Sequence, residues 1–317
     1  MTRWLVTGAT GMLGRDMVTA LRQAGEAEVT ALGRGKLDIT DAAGVLDAVA
    51  EHDLVINTAA WTDVDGAEAD EAAAFAVNAT GVRHLAVACA RHRSRLLHIS
   101  TDYVFSGATT LPWAEGAVPS PANAYGRTKL AGERMLHTVL PDHGYTVRTA
   151  WLYGAHGPNF VDTVLRLAAD REVLEVVDDQ TGQPTWSHAL ATRLVELGRA
   201  AATGTAHPGV YHGTASGRAT WYALAREAFA LAGLAPERIE PVTSDRYPRR
   251  APRPSWSVLG HQGWERAGLA PLAPWRAMLS HAFTAGVFAF GSPPPETDRA
   301  GATPGAVTRA RLAGLTG

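Results

Sequence analysis

Trp4 to Thr7 form a short apolar run that opens into Gly8-Ala-Thr-Gly11-Met-Leu-Gly14, after which Met17, Val18 and Leu21 recur at helical spacing. Strand, glycine turn and helix in immediate succession is the unit with which open parallel sheets begin. Glycine permits the tight turn and lets backbone approach a pyrophosphate. The anion then sits on the helix N-terminus, where free N–H groups and the dipole favour negative charge. A plain tight turn is the alternative reading of Gly-x-x-Gly-x-x-Gly, and its place at the first strand–helix junction favours the phosphate cradle.

The first half continues to alternate: a strand at Glu28 to Leu32, a helix at Asp41 to Glu51, a strand at Leu54 to Asn57, a helical stretch to Arg91 and a strand at Arg95 to Ser100. Apolar strands separated by helices predict an α/β fold with a doubly wound parallel sheet of the Rossmann type. Residues 1–153 and 173–212 are assigned to a dinucleotide-binding domain, with Val173 to Val177 as a further strand. Residues 154–172 and 213–290 are assigned to a smaller mixed α/β substrate lobe, with helices at Asn159 to Asp170 and Thr220 to Leu231. Gly291-Ser-Pro-Pro-Pro295 and the Gly-, Ala- and Thr-rich residues after it lack a core-forming pattern, so 291–317 reads as a disordered tail.

The end of the second strand bears on the dinucleotide. An acid there accepts from the ribose 2′-hydroxyl of NAD, whereas an arginine accommodates a 2′-phosphate. This chain has Gly33-Arg34-Gly35 and no acid before Asp38. NADPH is expected, with Arg34 on the 2′-phosphate and NADH as the alternative.

Only two lysines occur, Lys36 and Lys129, against 27 arginines, and Lys129 follows Tyr125 by four residues. Random placement gives a Tyr-x-x-x-Lys pair about 0.04 times per chain with 7 tyrosines. Ala124 to Met135 holds strong helix formers and no proline, so Tyr125 and Lys129 project from one face. A nearby fixed cation favours the phenolate and makes the phenol a better proton donor. An ordinary Tyr and Lys on a surface helix is the alternative.

Gly8 to Gly14, Asn57-Thr-Ala-Ala60, Ser100-Thr-Asp-Tyr-Val-Phe105, Tyr125 to Lys129, Arg148-Thr-Ala-Trp-Leu-Tyr-Gly154 and Val177-Asp-Asp-Gln-Thr-Gly-Gln-Pro-Thr185 occur in that order. Together they resemble the extended short-chain dehydrogenases, and within them the dTDP-4-dehydrorhamnose reductase family with its close relative dTDP-dihydrostreptose synthase. The resemblance runs from about Thr2 to Phe283. It implies a catalytic triad of Thr101, Tyr125 and Lys129. It further implies a cofactor site of Gly8, Thr10, Gly11, Met12, Leu13, Gly14, Arg34, Asp38, Ile39, Ala59, Ala60, Ser100, Tyr125, Lys129 and Trp151. A substrate site of Val64, Thr101, Asp102, Tyr103, Tyr125, Trp151 and Arg253 follows from the same resemblance, with Trp61 and Asp63 shaping the sugar pocket. Core packing for Trp151 and carbonyl capping for Arg253 are the structural alternatives.

The activity implied is hydride transfer to C4 of a dTDP-4-keto-6-deoxyhexose, Tyr125 giving the proton and Thr101 bonding the same oxygen. A dehydratase or epimerase is disfavoured because dehydratases of the superfamily carry Thr-Asp-Glu where this chain has Thr101-Asp102-Tyr103. A non-catalytic NADPH-binding regulatory subunit is the alternative of another class.

Other features exclude more than they assign. There is no run of eighteen apolar residues, and the N-terminus enters the first strand at once, which predicts a cytoplasmic protein without a membrane partner. A net charge of −2 with mixed signs makes no case for nucleic acid. Cys89 is the sole cysteine, so no intrachain disulfide forms. Twelve histidines lack ligand spacing, so no catalytic metal is expected. Some relatives dimerise around magnesium held by acids; His188 stands where one such acid would be, which predicts a monomer or weak homodimer.

Overall fold

The structure, a computed structural model, describes residues 2–288 and 309–311. The first half builds β1 (Trp4–Thr7), α1 (Met12–Gln23), β2 (Val29–Leu32), α2 (Ala42–Val49), β3 (Leu54–Asn57), α3 (Val64–Ala69), α4 (Glu71–Phe75), a π-helical turn at Ala76–Gly81, α5 (Val82–His92), β4 (Arg95–Thr101), α6 (Ala124–Val139) and β5 (Gly144–Thr149). The second half adds β6 (Leu152–Tyr153), α7 (Phe160–Leu167), β7 (Val173–Val177), β8 (Thr181–Gly182), β9 (Thr185–Trp186), α8 (Ser187–Thr203), β10 (Gly209–His212), β11 (Ala219–Thr220), α9 (Trp221–Leu231) and β12 (Ile239–Val242).

Six strands form one sheet in the order β10-β5-β4-β3-β1-β2, and every pairing in it is parallel. β1 and β3 are buried along their whole length because helices cover both faces. On one face Trp4, Met17, Leu21, Ile56 and Leu194 belong to a core shared with α1 and α8. On the other Leu5, Val55, Leu85, Leu96 and Leu136 pack with α5 and α6. Gly198 of α8 lies so close to the Trp4 indole that a Cβ there would stand 2.5 Å from the ring. The helical stretch Glu71–His92 is long and apolar enough to cross a bilayer by length and composition alone, yet half of that window is buried inside the fold.

The strand at Val173–Val177 departs from the expected division. β7 pairs in parallel with β12, from Ile239↔Leu174 to Val242↔Val177, in a separate sheet. The segment 173–177 therefore packs with the smaller lobe, whereas α8 and β10 cover and extend the main sheet. The expected disordered tail at 291–317 lies outside the described residues except at Arg309–Arg311, which instead pair in parallel with Val173–Glu175.

Candidate active site

The carboxyl ends of the parallel strands share one edge of the sheet, and a cavity of about 570 Å³ opens above it. Beyond β1 the turn to α1 is built around glycine. Gly8 adopts φ +69°, and a Cβ on it would stand 2.5 Å from the Ala59 backbone nitrogen. A Cβ on Gly14 would stand 2.3 Å from the Gly8 carbonyl oxygen. α1 begins after Gly11 with no side chain capping its first N–H groups. These donors are left for an anion in the cleft.

Gly8, Thr10, Gly11, Met12, Leu13 and Gly14 all line the cavity, with Arg34, Asp38 and Ile39 beyond β2. The Arg34 side chain is 87% exposed. The Asp38 carboxylate accepts from the Thr40 backbone at 3.0 Å and its hydroxyl at 2.8 Å and stands 3.9 Å from the Arg34 guanidinium; the Thr40 bonds, and more weakly Arg34, hold its pKa down. A cation is thus presented at this edge, loosely paired with Asp38.

Asn123 caps α6 by accepting from the Gly126 N–H at 2.8 Å, placing Tyr125 in the first turn and Lys129 one turn on. Both side chains reach the cavity, as do Ser100, Thr101, Asp102 and Tyr103 at the end of β4, Ala59 and Ala60 beyond β3, Val64 of α3, and Trp151 beyond β5. Lys129 is buried, and its Nζ donates to the Ile99 carbonyl at 2.7 Å. Behind it runs a buried polar chain. Asn57 Oδ1 accepts from Thr7 at 2.7 Å and from the Ala59 N–H at 3.1 Å, so its amide nitrogen faces His98 Nδ1 at 3.0 Å. The other ring nitrogen, His98 Nε2, lies 3.4 Å from Lys129 Nζ. Burial lowers Lys129 to about 8 and, with the Lys129 charge beside it, holds His98 well below its usual value.

Tyr125 differs from expectation. Burial pushes its phenol up to about 12, opposed in part by the Thr101 hydroxyl, and Asp102 pushes it the same way as burial. The lysine, tied to Ile99, does not make this tyrosine more acidic; the side chain is held as a neutral phenol. Its ring meets Tyr103 edge-on at 5.7 Å. Thr101 ends β4 and caps the 3₁₀ turn Asp102–Val104, accepting from the Tyr103 N–H at 3.2 Å and donating to Asp102 Oδ1 at 3.1 Å. Burial raises the Asp102 carboxyl to about 6, with Ser257 and Thr101 opposing.

Trp151 has φ +47°, a left-handed conformation uncommon for a bulky residue and typical of functional sites. Its indole stacks on Trp221 of α9 at 3.5 Å and 9°, and Gly182 leaves it room, since a Cβ there would stand 2.5 Å from the ring. Trp221 also lines the cavity and is a site residue that local pattern did not single out. Trp61 lines it as well. Asn78 in the π-helical turn fixes Trp61 by accepting from its N–H at 2.9 Å and donating to its carbonyl at 3.1 Å.

Two expectations move. Arg253 lies outside the large cavity; its guanidinium forks onto Asp65 at 3.0 and 3.3 Å and lines a smaller cavity of about 50 Å³ beside Tyr247 and Trp221. Asp63 caps α3 by accepting from Gly66 at 2.8 Å and does not line the cleft. Among the described residues no group of three or more His, Cys, Asp or Glu side chains is placed to hold a metal ion.

A doubly wound parallel sheet with a glycine cradle and a Thr, Tyr and Lys set at its carboxyl edge defines the class of two-lobed Rossmann oxidoreductases. The family model described as RmlD substrate binding domain matches residues 2–287. A dTDP-4-dehydrorhamnose reductase of Streptomyces griseus is 55% identical over 92% of this chain and 97% of that protein. A dTDP-4-keto-6-deoxy-D-glucose reductase of Streptomyces niveus is 52% identical over 89% of this chain and 96% of its own. The crystal structure of a dTDP-4-dehydrorhamnose reductase from Bacillus anthracis in complex with NADP superposes with a TM-score of 0.84 at 33% identity, covering 90% of this chain and 99% of that one. The chain belongs to the dTDP-4-dehydrorhamnose reductase family.

Proposed function

We propose that this protein is an NADPH-dependent reductase of a dTDP-4-keto-6-deoxy-L-hexose, acting in nucleotide-sugar biosynthesis. The observation that carries the reading is that Thr101, Tyr125 and Lys129 line the same cavity as the Gly8–Gly14 cradle. The cleft fits the cofactor: the glycines clear backbone where a Cβ would collide, and the uncapped start of α1 offers donors to a pyrophosphate. Arg34 would hold the 2′-phosphate, Ala59 and Ala60 would line the cofactor, and Lys129 would hold the nicotinamide ribose. Bound NADPH supplies the hydride that reduces the sugar ketone at C4.

Tyr125, held neutral, gives its proton to O4 as charge develops there. The Thr101 hydroxyl would bond the same oxygen, and Trp151, braced by Trp221, would fence the sugar. A cytoplasmic monomer or weak homodimer suits this role.

A second reading is favoured by the S. niveus relative: reduction of another deoxysugar nucleotide of antibiotic biosynthesis, dTDP-dihydrostreptose formation among them. The test is NADPH oxidation with dTDP-4-keto-L-rhamnose made in place by a dehydratase and epimerase, and a control lacking the epimerase. Oxidation only with the epimerase establishes the L-series substrate. Oxidation without it favours the second reading. NADPH binding without oxidation of any 4-ketosugar overturns the reductase assignment in favour of a regulatory subunit. Tyr125→Phe is expected to lower turnover by about 10²- to 10⁴-fold with NADPH binding kept; near-normal turnover refutes the proton-donor role.

A further inference from the structure

The Tyr125 ring packs on Ala67, Ala74 and Ala124, three side chains too small to fix its plane. The χ2 torsion of tyrosine is soft, so the direction of its hydroxyl is set by whatever else the ring meets. At the hydroxyl end the phenol hydrogen-bonds Thr101. At the ring it meets Tyr103, edge-on at 5.7 Å and 76°. Tyr103 in turn carries the Arg253 guanidinium over its ring, 6.0 Å from the centre. A cation over an aromatic face is attracted to it, the more so where water is excluded, and the Arg253 side chain is only 6% exposed. Asp65 of α3 holds that guanidinium from the first lobe. It accepts from both terminal nitrogens at 3.0 and 3.3 Å and from the Ala251 N–H at 2.9 Å. Carboxylate, guanidinium, ring and phenol form one line from α3 to the proposed proton donor.

The backbone repeats the connection. Arg253 closes the segment 251–254 on itself by donating to the Ala251 carbonyl at 2.9 Å, and the Pro252 carbonyl accepts from Asn123 Nδ2 at 2.9 Å. Asn123 Oδ1 accepts from the Gly126 N–H, the donor that follows Tyr125 in the first turn of α6. That turn has no slack toward Tyr103: a Cβ on Gly126 would stand 2.1 Å from the Tyr103 carbonyl oxygen. The second lobe is seated directly on the turn that carries Tyr125.

We propose that Arg253 is a positioning residue for the proton transfer: pinned by Asp65, it braces the Tyr103 ring, and that ring sets the Tyr125 phenol toward the substrate ketone. The assignment rests on the reductase reading above. An arginine that held the sugar nucleotide would act on binding. One that sets a phenol from behind acts on turnover, and only through that phenol.

The test is steady-state ketosugar reduction by wild type, Arg253→Gln, Tyr125→Phe and the double variant, with folding checked by thermal melt and binding of NADPH and of dTDP measured by titration. The Asp65 side chain is 33% exposed, so water can meet its carboxylate once the arginine is gone, and the fold is expected to hold. Arg253→Gln is expected to lower kcat by about 10- to 10²-fold, the size of loss that a misplacement of about 1 Å produces. NADPH and dTDP binding are expected to stay as in wild type. Tyr125→Phe keeps the ring but has no phenolic proton to misplace. In that background Arg253→Gln is expected to change the residual kcat by less than about twofold.

An undiminished kcat in Arg253→Gln overturns the proposal, as do equal losses with and without the Tyr125 hydroxyl. So does dTDP binding weakened by about tenfold or more with kcat kept, which makes Arg253 a nucleotide ligand. Should Arg253→Gln fail to fold, Asp65→Asn takes its place. It keeps the arginine and loosens its anchor, so a smaller kcat loss is expected, again vanishing in Tyr125→Phe; the same loss in both backgrounds overturns the proposal. A wild type that reduces no 4-ketosugar refutes the reductase reading and this assignment with it, whereas an active wild type with equal losses in both backgrounds refutes this assignment only.

Discussion

Removing the Glu133 carboxylate is expected to cost about 3–5 kcal/mol of folding stability, because it strands a buried guanidinium. Glu133 sits one turn beyond Lys129 on α6 and forks onto Arg148 of β5 at 2.7 and 3.0 Å, with side-chain exposures of 4% and 3%. Ser100, the residue before Thr101, donates to the same carboxylate at 2.5 Å. In Glu133→Ala, Arg148 keeps the Glu115 carbonyl and His212 Nε2, each at 3.4 Å, and the Phe105 ring, 5.0 Å from the guanidinium carbon to its centroid. None of these replaces a carboxylate, and an arginine cannot discharge itself. Its desolvation cost then stays uncompensated.

An internal control is available. Arg127 and Glu71 also meet at 2.7 Å, but their side chains are 44% and 46% exposed. Equal distance in water-screened surroundings is worth less than about 1 kcal/mol, so Glu71→Ala is expected to change stability little. The paired replacement Glu133→Leu with Arg148→Met is expected to recover most of the loss, since no lone charge remains. Urea unfolding of the four proteins measures this. A Glu133→Ala loss as small as that of Glu71→Ala, or a double variant no more stable than Glu133→Ala, refutes the reasoning. The pair also braces α6 against β4 and β5, so kcat is expected to fall with Glu133→Ala and not with Glu71→Ala.

Gly8→Ala, whose Cβ would stand 2.5 Å from the Ala59 nitrogen in a backbone at φ +69°, is expected to abolish NADPH binding in a fluorescence titration. Lys129, lowered to about 8 by burial, is expected to give a pH-dependent stability. Below pH 8 it is charged in both states and the folded state carries the full desolvation cost; as pH rises from 8 to its unfolded value of about 10.4 the cost is relieved. The advantage of Lys129→Met over the cofactor-free wild type is thus expected to shrink by about 3 kcal/mol across that window in urea unfolding. Cys89 is buried and burial pushes its thiol pKa up, so it is expected to resist a thiol reagent until the protein is unfolded.

What was legible in the chain was what local pattern determines. The strand, glycine turn and helix at Trp4 to Leu21 and the alternation behind it placed the cofactor edge, because a buried parallel strand and a βα turn each leave a mark within a dozen residues. The same logic failed for Val173–Val177. An apolar run says that a strand is buried but not what it pairs with, and its partner Ile239–Val242 lies more than sixty residues on. Trp221 was illegible for a like reason: a tryptophan at a helix start becomes a site residue only because the fold stacks it on Trp151. Arg253 went the other way, claimed by Asp65, a partner far off in sequence.

Tyr125 and Lys129 show where spacing stops and environment begins. Helical periodicity put both side chains on the cavity, but it could not show that burial would outweigh the lysine in setting the phenol. Nζ reaches the Ile99 carbonyl, with His98 behind it, and burial sets both pKa values. In the proposed reduction a phenol so held would lose its proton only to something as basic as a developing alkoxide, which would tie its discharge to the arrival of hydride. Asp102 follows the same physics. One residue from Thr101, it is a polar position in a recognisable block, and its 2% exposure raises the carboxyl to about 6, above the ordinary carboxylate range. Residue type and spacing thus name the phenol, the lysine and the carboxyl, while burial moves the pKa of each away from its ordinary value.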